Sequence, residues 1–210
     1  MIYPRTDLFD LCKISDATFW PMHRQELSRT AGGATQAKDL GSALWRASFT
    51  TTPARRADAA AIEAGLISLN GSAGSFLAHD VRRPFPKAHS SGDFSDTGTI
   101  NDFNVDGSAF RLRLAGYAQG FTFSPGDYLA FEYGARPSRA LHMVTVGGAV
   151  NGAGRVVLDV FPAIRPGGGV GASVRLKRPP CEMILEPGQQ PPGMRELVAS
   201  SLSFSAIQIL

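Results

Sequence analysis

Cysteine is nearly absent: Cys12 and Cys181 stand far apart in the 210 residues, with no C-x-x-C and no histidine cluster beside either. This excludes a disulfide framework and any zinc site of recognisable spacing. A chain of this length buries roughly 70% of the surface its unfolded form exposes, so it needs neither. Both cysteines read as plain buried thiols. Long apolar runs are missing too. No stretch approaches the ~18 residues of a membrane span, and Met1-Ile2-Tyr3-Pro4-Arg5-Thr6-Asp7 breaks with charge before an apolar signal core forms. Neither membrane insertion nor a secretion signal is expected. A one-signed charge excess is also lacking. The net charge is +3, and the basic residues come as scattered pairs, Arg55-Arg56, Arg82-Arg83 and Lys177-Arg178, rather than as a run interleaved with aromatics. No nucleic-acid specificity is expected.

The groups that carry chemistry are sparse. His23, His79, His89 and His142 are scattered, and none has a metal-like partner at helical or strand spacing. His79-Asp80 is the one histidine beside a carboxylate, but with no Gly-x-Ser-x-Gly elbow and no reactive-looking cysteine there is no nucleophile for it to serve. It reads as a surface loop pair. Gly147-Gly148-Ala149-Val150-Asn151-Gly152 follows a strand, yet Arg155-Val156-Val157-Leu158 after it is another strand, so no helix N-terminus is offered to a phosphate. It reads as a hairpin turn. Pro166-Gly167-Gly168-Gly169 lacks the lysine and helix of a P-loop. Asp127 takes a turn position with a local hydrogen-bonding role, and Glu132 and Asp159 fall on the wet faces of strands. No catalytic residue, cofactor or metal is expected, and the chain reads as a non-enzyme.

What is present is β pattern with one helix. Ser42–Thr51 alternates, with Trp45, Ala47 and Phe49 on one face. Upstream, Ala17–Leu27 and a polar stretch from Arg29 to Lys38 make a long hairpin with that strand. The spacing of Ala59, Ile62, Leu66 and Leu69 predicts a helix over 53–69, with Thr52 as cap, Pro53 at the first helical position and Asn70-Gly71 as stop. Its narrow apolar stripe suits one face laid on a sheet. Ala88–Gly98, short of apolar residues, reads as a linker or exposed loop. Beyond it come short strands at Thr99–Val105, Ala109–Leu114, Asp127–Tyr133, Leu141–Val146, Arg155–Phe161, Ser173–Lys177 and Cys181–Leu185, separated by Gly-rich turns. Close spacing of this kind argues a small barrel or sandwich. The closing stretch, Ser201–Leu210, alternates again, with Leu202, Phe204, Ala206 and Gln208 on one face, and needs a sheet to join.

The expected organisation is therefore mainly β: an N-terminal β-sandwich over 1–90 flanked by the helix, a second small β-barrel or sandwich over 99–198, and a terminal strand over 200–210 that returns to the N-terminal sheet.

Several fragments, taken in order, carry a resemblance. The first is Leu44-Trp45-Arg46-Ala47-Ser48-Phe49, followed by the Ala-rich helix, Leu69-Asn70-Gly71-Ser72-Ala73-Gly74-Ser75-Phe76 and the loop Arg82-Arg83-Pro84. The second is Ser124-Pro125-Gly126-Asp127-Tyr128-Leu129, then Leu141-His142-Met143-Val144, then Gly152-Ala153-Gly154 leading through Arg155–Phe161 to Pro162-Ala163-Ile164-Arg165. With the terminal strand, this order resembles the distal tail (tail-tip, baseplate) proteins of tailed phages and prophages, over most of residues 40–210. The first 40 residues match poorly.

The resemblance implies a tail-tube-like β-sandwich and a structural role in the virion: a homo-hexameric ring, assembled in the host cytoplasm, that joins the tail tube protein to the baseplate hub, the tape-measure protein and receptor-binding proteins. In such a ring, Arg24, Arg29 and Lys38 on the hairpin are candidate contacts to a neighbour or to the lumen. The alternative is a carbohydrate- or receptor-binding β-module of the virion, with Phe121, Phe123, Tyr128, Phe131 and Tyr133 as its candidate aromatics. A third class, an enzyme or nucleic-acid-binding barrel, has no residue behind it.

Overall fold

The computed structural model describes residues 3–134, 138–167, 169–188 and 201–209. Met1, Ile2, Gly168 of the Pro166–Gly169 turn, 189–198 at the end of the expected second unit, and Leu210 lie outside the described residues. In chain order the elements are α1 (Leu8–Cys12), β1 (Ile14–Met22), β2 (Gln25–Arg29), β3 (Thr35–Asp39), β4 (Leu44–Thr51), α2 (Arg56–Ile67), β5 (Ser75–Ala78), β6 (Thr99–Phe103), β7 (Arg111–Ala115), β8 (Thr122–Phe123), β9 (Tyr128–Tyr133), β10 (Ser138–Val146), β11 (Gly148–Ala149), β12 (Arg155–Phe161), β13 (Val174–Arg175), β14 (Cys181–Leu185) and β15 (Ser203–Gln208). The protein is mainly β, with several antiparallel sheets and few helices.

Two sheets dominate. The first has five strands in the order β1-β4-β15-β14-β5, all neighbours antiparallel. The alternation in β4 decides its facing: Trp45, Ala47, Phe49 and Thr51 point inward and are buried, while Leu44, Arg46, Ser48 and Thr50 are half-exposed. Phe204 and Ala206 of β15 continue that inner face, directly opposite Phe49 and Ala47. The second sheet has six strands in the order β13-β9-β10-β12-β7-β6. Its outer strands meet, because the Ile100 amide donates to the Ala172 carbonyl at 2.9 Å and the Val174 amide to the Gly98 carbonyl at 2.8 Å, so this sheet closes on itself. Its interior holds Leu112, Leu114, Leu129, Phe131, Val144, Leu158 and Val160.

Strand β9 belongs to both cores. Leu129 and Phe131 point into the closed sheet, while Tyr128 and Ala130 face the first sheet beside Trp45 and Phe19. The Trp45 indole N–H donates to the Leu141 carbonyl of β10 at 2.7 Å, so the largest buried side chain of the first sheet is fastened to the backbone of the second.

The helices cover the other end of the first core. In α1, Leu8, Phe9 and Cys12 are buried, and Leu8 and Leu11 lie so close to Gly65 that a Cβ there would meet their methyl groups at 3.0 and 3.1 Å. Glycine at that position lets the two helices touch. Sequence pattern does not announce α1. It is five residues long, and Lys13, not glycine, takes the left-handed conformation that ends it (φ 45°).

Three further features differ from the sequence reading. Helix α2 begins at Arg56, not at Pro53. The Thr52 amide donates to the Lys13 carbonyl at 3.0 Å and so prolongs the β1–β4 ladder, and a residue before proline is in any case pushed toward the extended region. Cys181–Leu185, grouped by sequence with the second unit, pairs instead in the first sheet between β15 and β5, with Cys181, Met183 and Leu185 turned into the first core. Ala88–Gly98 is a strap, not a linker: the His89 ring stacks on Phe121 at 3.8 Å between centroids, Phe94 packs edge-on to the same ring, and the Asp96 carboxylate accepts the Leu176 and Lys177 amides.

Trp45→Phe removes the indole donor and part of the buried volume at the junction. An expected loss of about 2–4 kcal/mol is checked by urea unfolding followed by far-UV circular dichroism.

Candidate functional site

The long hairpin is built in two tiers. Its lower tier is the β1–β4 ladder; its upper tier pairs β2 with β3 from Gln25↔Asp39 to Arg29↔Thr35. Every residue of β2 and β3 is exposed, so the upper tier is an arm that projects from the first sheet and buries no side chain of its own. The cross-strand register sets two faces. Gln25, Leu27, Arg29, Thr35, Ala37 and Asp39 share one; Glu26, Ser28, Gln36 and Lys38 share the other. Leu27 is 69% exposed, opposite Ala37, the largest apolar side chain on the arm's strands.

The three candidate contact residues all lie on this arm and are all exposed, but they do not converge. Arg29 and Lys38 occupy opposite faces, and Arg24 sits at the root, where its carbonyl accepts the Leu40 amide at 2.7 Å and its guanidinium lies against Gly41. A single flat surface does not touch both Arg29 and Lys38; a groove or a neighbouring strand on each side does.

The two edges of the first sheet are treated differently. Along β5 the Arg5 amide donates to the Ser75 carbonyl at 2.9 Å and the Leu77 amide to the Arg5 carbonyl at 3.0 Å, which covers that edge. Arg5 is held there by its contacts to Asp7, Ser68 and the Gly65 carbonyl. Along β1, nine residues long, the only strand partner among the described residues is β4. Pro21 within β1 is the kind of residue that an edge strand tolerates.

A second feature is a cleft of about 510 Å³ between the loop after β5 and the turn that opens β9, with Arg82, Arg83, Lys87, Gly126 and Asp127 among its walls. Asp127 is 4% exposed, and its two oxygens accept the Lys87 amide at 2.8 Å and the Ser124 amide at 2.7 Å, so it organises the turn. His79-Asp80 is not a surface pair. Asp80 is buried and accepts from the Arg82 amide and guanidinium, while His79 packs on the Phe9 ring. Burial pushes the His79 imidazole below its ordinary range, and the Arg178 charge adds to that.

The candidate aromatics do not form a platform. Phe121, Phe123, Tyr128 and Phe131 are buried in the two cores, and Tyr133 is partly buried. Glu132 and Asp159 lie on the outer side of the second sheet, paired with Arg139 and Arg111. Both cysteines are buried and unpaired, and burial pushes the Cys12 thiol up to about 12 and the Cys181 thiol higher still. Among the described residues no group of histidine, cysteine or carboxylate side chains is placed to hold a metal ion, and no helix is long and apolar enough to cross a membrane.

His142 escaped the sequence reading as anything but an isolated histidine. It lies inside the closed sheet, stacked on Phe131 at 5.2 Å, with Nδ1 2.8 Å from the Pro162 carbonyl and Nε2 without a partner among the described residues. The Nδ1–H tautomer donates to that carbonyl, which leaves Nε2 as a bare buried acceptor.

Compared with known proteins, the chain matches no protein-family model and no curated sequence.

Burial pushes the His142 imidazole down to about 4 from its ordinary 6.5, with the Pro162 hydrogen bond opposing and the Arg165 charge assisting. The unfolded chain takes up this proton near pH 6.5 and the folded chain only near pH 4. The contribution is therefore complete above pH 6.5 and falls as the pH drops toward 4, by about 3 kcal/mol in all. Chemical denaturation at stepped pH checks this: His142→Gln, which does not titrate, is expected to flatten the slope between pH 6.5 and 4.

Proposed function

We propose that this chain is a structural subunit of a phage or phage-like tail tip, a distal tail protein whose copies close a ring, hexameric in the reading given by resemblance, between the tail tube and the baseplate hub with its receptor-binding parts. The observation that carries this is the β2–β3 arm. A two-stranded ribbon alone in water is marginal at best, and this one is regular over its whole length while burying nothing. Such an element has its packing partner outside the chain. The open nine-residue edge of β1 points the same way, since ring closure pairs or covers edges that a monomer leaves bare.

The finer fold reading belongs with this function. The first sheet with α2 takes the place of the tail-tube-like sandwich that forms the ring, and the closed six-stranded sheet is the small outer β-domain. The carbohydrate-binding alternative loses its support where its aromatics go inside.

The test removes the arm. In a variant with residues 25–39 replaced by an Asn-Gly turn, native mass spectrometry across a concentration series, backed by negative-stain images, is expected to find monomer where the full chain gives closed rings. Because the arm buries no side chain, thermal unfolding is expected to change by less than about 1 kcal/mol. Charge reversal of Arg29 and Lys38 together is expected to weaken the ring with the fold intact. Rings that form equally well without the arm overturn the proposal.

A further inference from the structure

The cleft beside Arg82-Arg83-Pro84 has spent its carboxylate acceptors and kept part of its donors. Asp127 gives both oxygens to backbone amides. Asp80 gives one oxygen to the Arg82 amide and Nε at 2.9 and 3.2 Å, and the other to Arg82 Nη2 at 3.3 Å. The Gly126 carbonyl accepts from Arg83 Nη1 at 3.3 Å. What is left facing solvent is cationic. The Arg83 side chain is 45% exposed, reaches Asp80 only at 4.0 Å, and is steadied over the Tyr128 ring at 5.5 Å. Lys87 lines the same cleft and has no ion-pair partner among the described residues. Asp80 is shared, pairing with Arg82 at 3.2 Å and with Arg83 at 4.0 Å, and Asp16 is the other carboxylate whose charge reaches Arg82.

We propose that this cleft binds a small phosphate monoester, with Arg83 and Lys87 as the groups that hold the phosphoryl oxygens. Its volume, about 510 Å³, lies in the range of small-molecule sites. Asp80 and Asp127 offset two of the three positive charges of Arg82, Arg83 and Lys87, so the cleft keeps a net charge of about +1, of the sign that attracts a phosphate monoester, about −1.5 to −2 at pH 7. A guanidinium already fixed by a carbonyl and an aromatic ring presents its fork at little further cost in order, and Arg forks suit phosphate geometry. The apolar wall of Pro84 and Phe85 gives the carbon skeleton of the ester a surface to lie on. None of these residues belongs to the arm, so the inference stands independently of the ring reading.

Isothermal titration with glucose 6-phosphate, glucose and inorganic phosphate at about 50 mM NaCl tests it. Saturable binding of the ester and none of glucose is expected, with the ester at least about tenfold tighter than inorganic phosphate and at least about tenfold weaker in the Arg83→Gln, Lys87→Gln double variant. Both side chains reach solvent, so thermal unfolding of that variant is expected to match the parent, which separates lost binding from lost fold. The proposal is overturned if the ester fails to bind below about 10 mM, if the double variant binds it equally well, or if inorganic phosphate binds as tightly as the ester.

Discussion

Everything in this structure is arranged around a strand that has no outside. In β9 the alternation places Leu129 and Phe131 in the closed sheet and Tyr128 and Ala130 against the first sheet, so four successive residues are buried. A half-buried strand tolerates polar substitution on its wet face; β9 has a wet face only from Glu132 onward. The junction is then made specific by a directed, fully buried contact, the Trp45 indole on the Leu141 carbonyl. Dispersion between the cores holds the two sheets together, and the hydrogen bond fixes where along each other they sit. The segment 79–98 works to the same end, since His89, Phe94 and Asp96 bind it to the second sheet while His79 packs on Phe9 beside the first.

Much of this was legible in the chain wherever a signal is local. The alternation of Trp45, Ala47 and Phe49 put those residues inside, and the hairpin between β1 and β4 follows from two such runs flanking a polar stretch. Gly-rich turns marked the boundaries of most strands of the second sheet. What was not legible depends on partners far away in sequence. Cys181–Leu185 alternates equally well for either sheet; only the two neighbours that take its edges, β5 and β15, decide the matter. The strap looked like a linker because its few apolar groups, Phe94 and the flat face of His89, both pack on Phe121, which is distant in the chain. Helix α1 was silent because a lysine does what sequence reading assigns to glycine.

The candidate residues show the same division. Sequence placed Arg24, Arg29 and Lys38 on a hairpin, but the register alone separates Arg29 from Lys38 onto opposite faces. Arg82-Arg83-Pro84 was visible as a motif and carried no chemistry until the oxygens of Asp80 and Asp127 were accounted for one by one. A basic pair in sequence says nothing about how far its charge is already answered; here Asp80 closes on Arg82 through three hydrogen bonds and reaches Arg83 only at 4.0 Å.

The position of the arm gives the molecule a lever. β2 and β3 join β1 and β4 through the short stretches 23–24 and 40–43, bridged by the Leu40 amide on the Arg24 carbonyl, and the first cross-strand pairs below the arm are Met22↔Leu44 and Pro21↔Trp45, immediately beside the indole that fastens the two sheets. Hydrogen-bonded strands are stiff along their length, so a neighbour that grips the exposed ribbon does not merely hold a tip: its pull arrives close to one of the points where the two sheets are pinned. Strain applied outside and alignment of the two sheets inside are thereby mechanically the same coordinate.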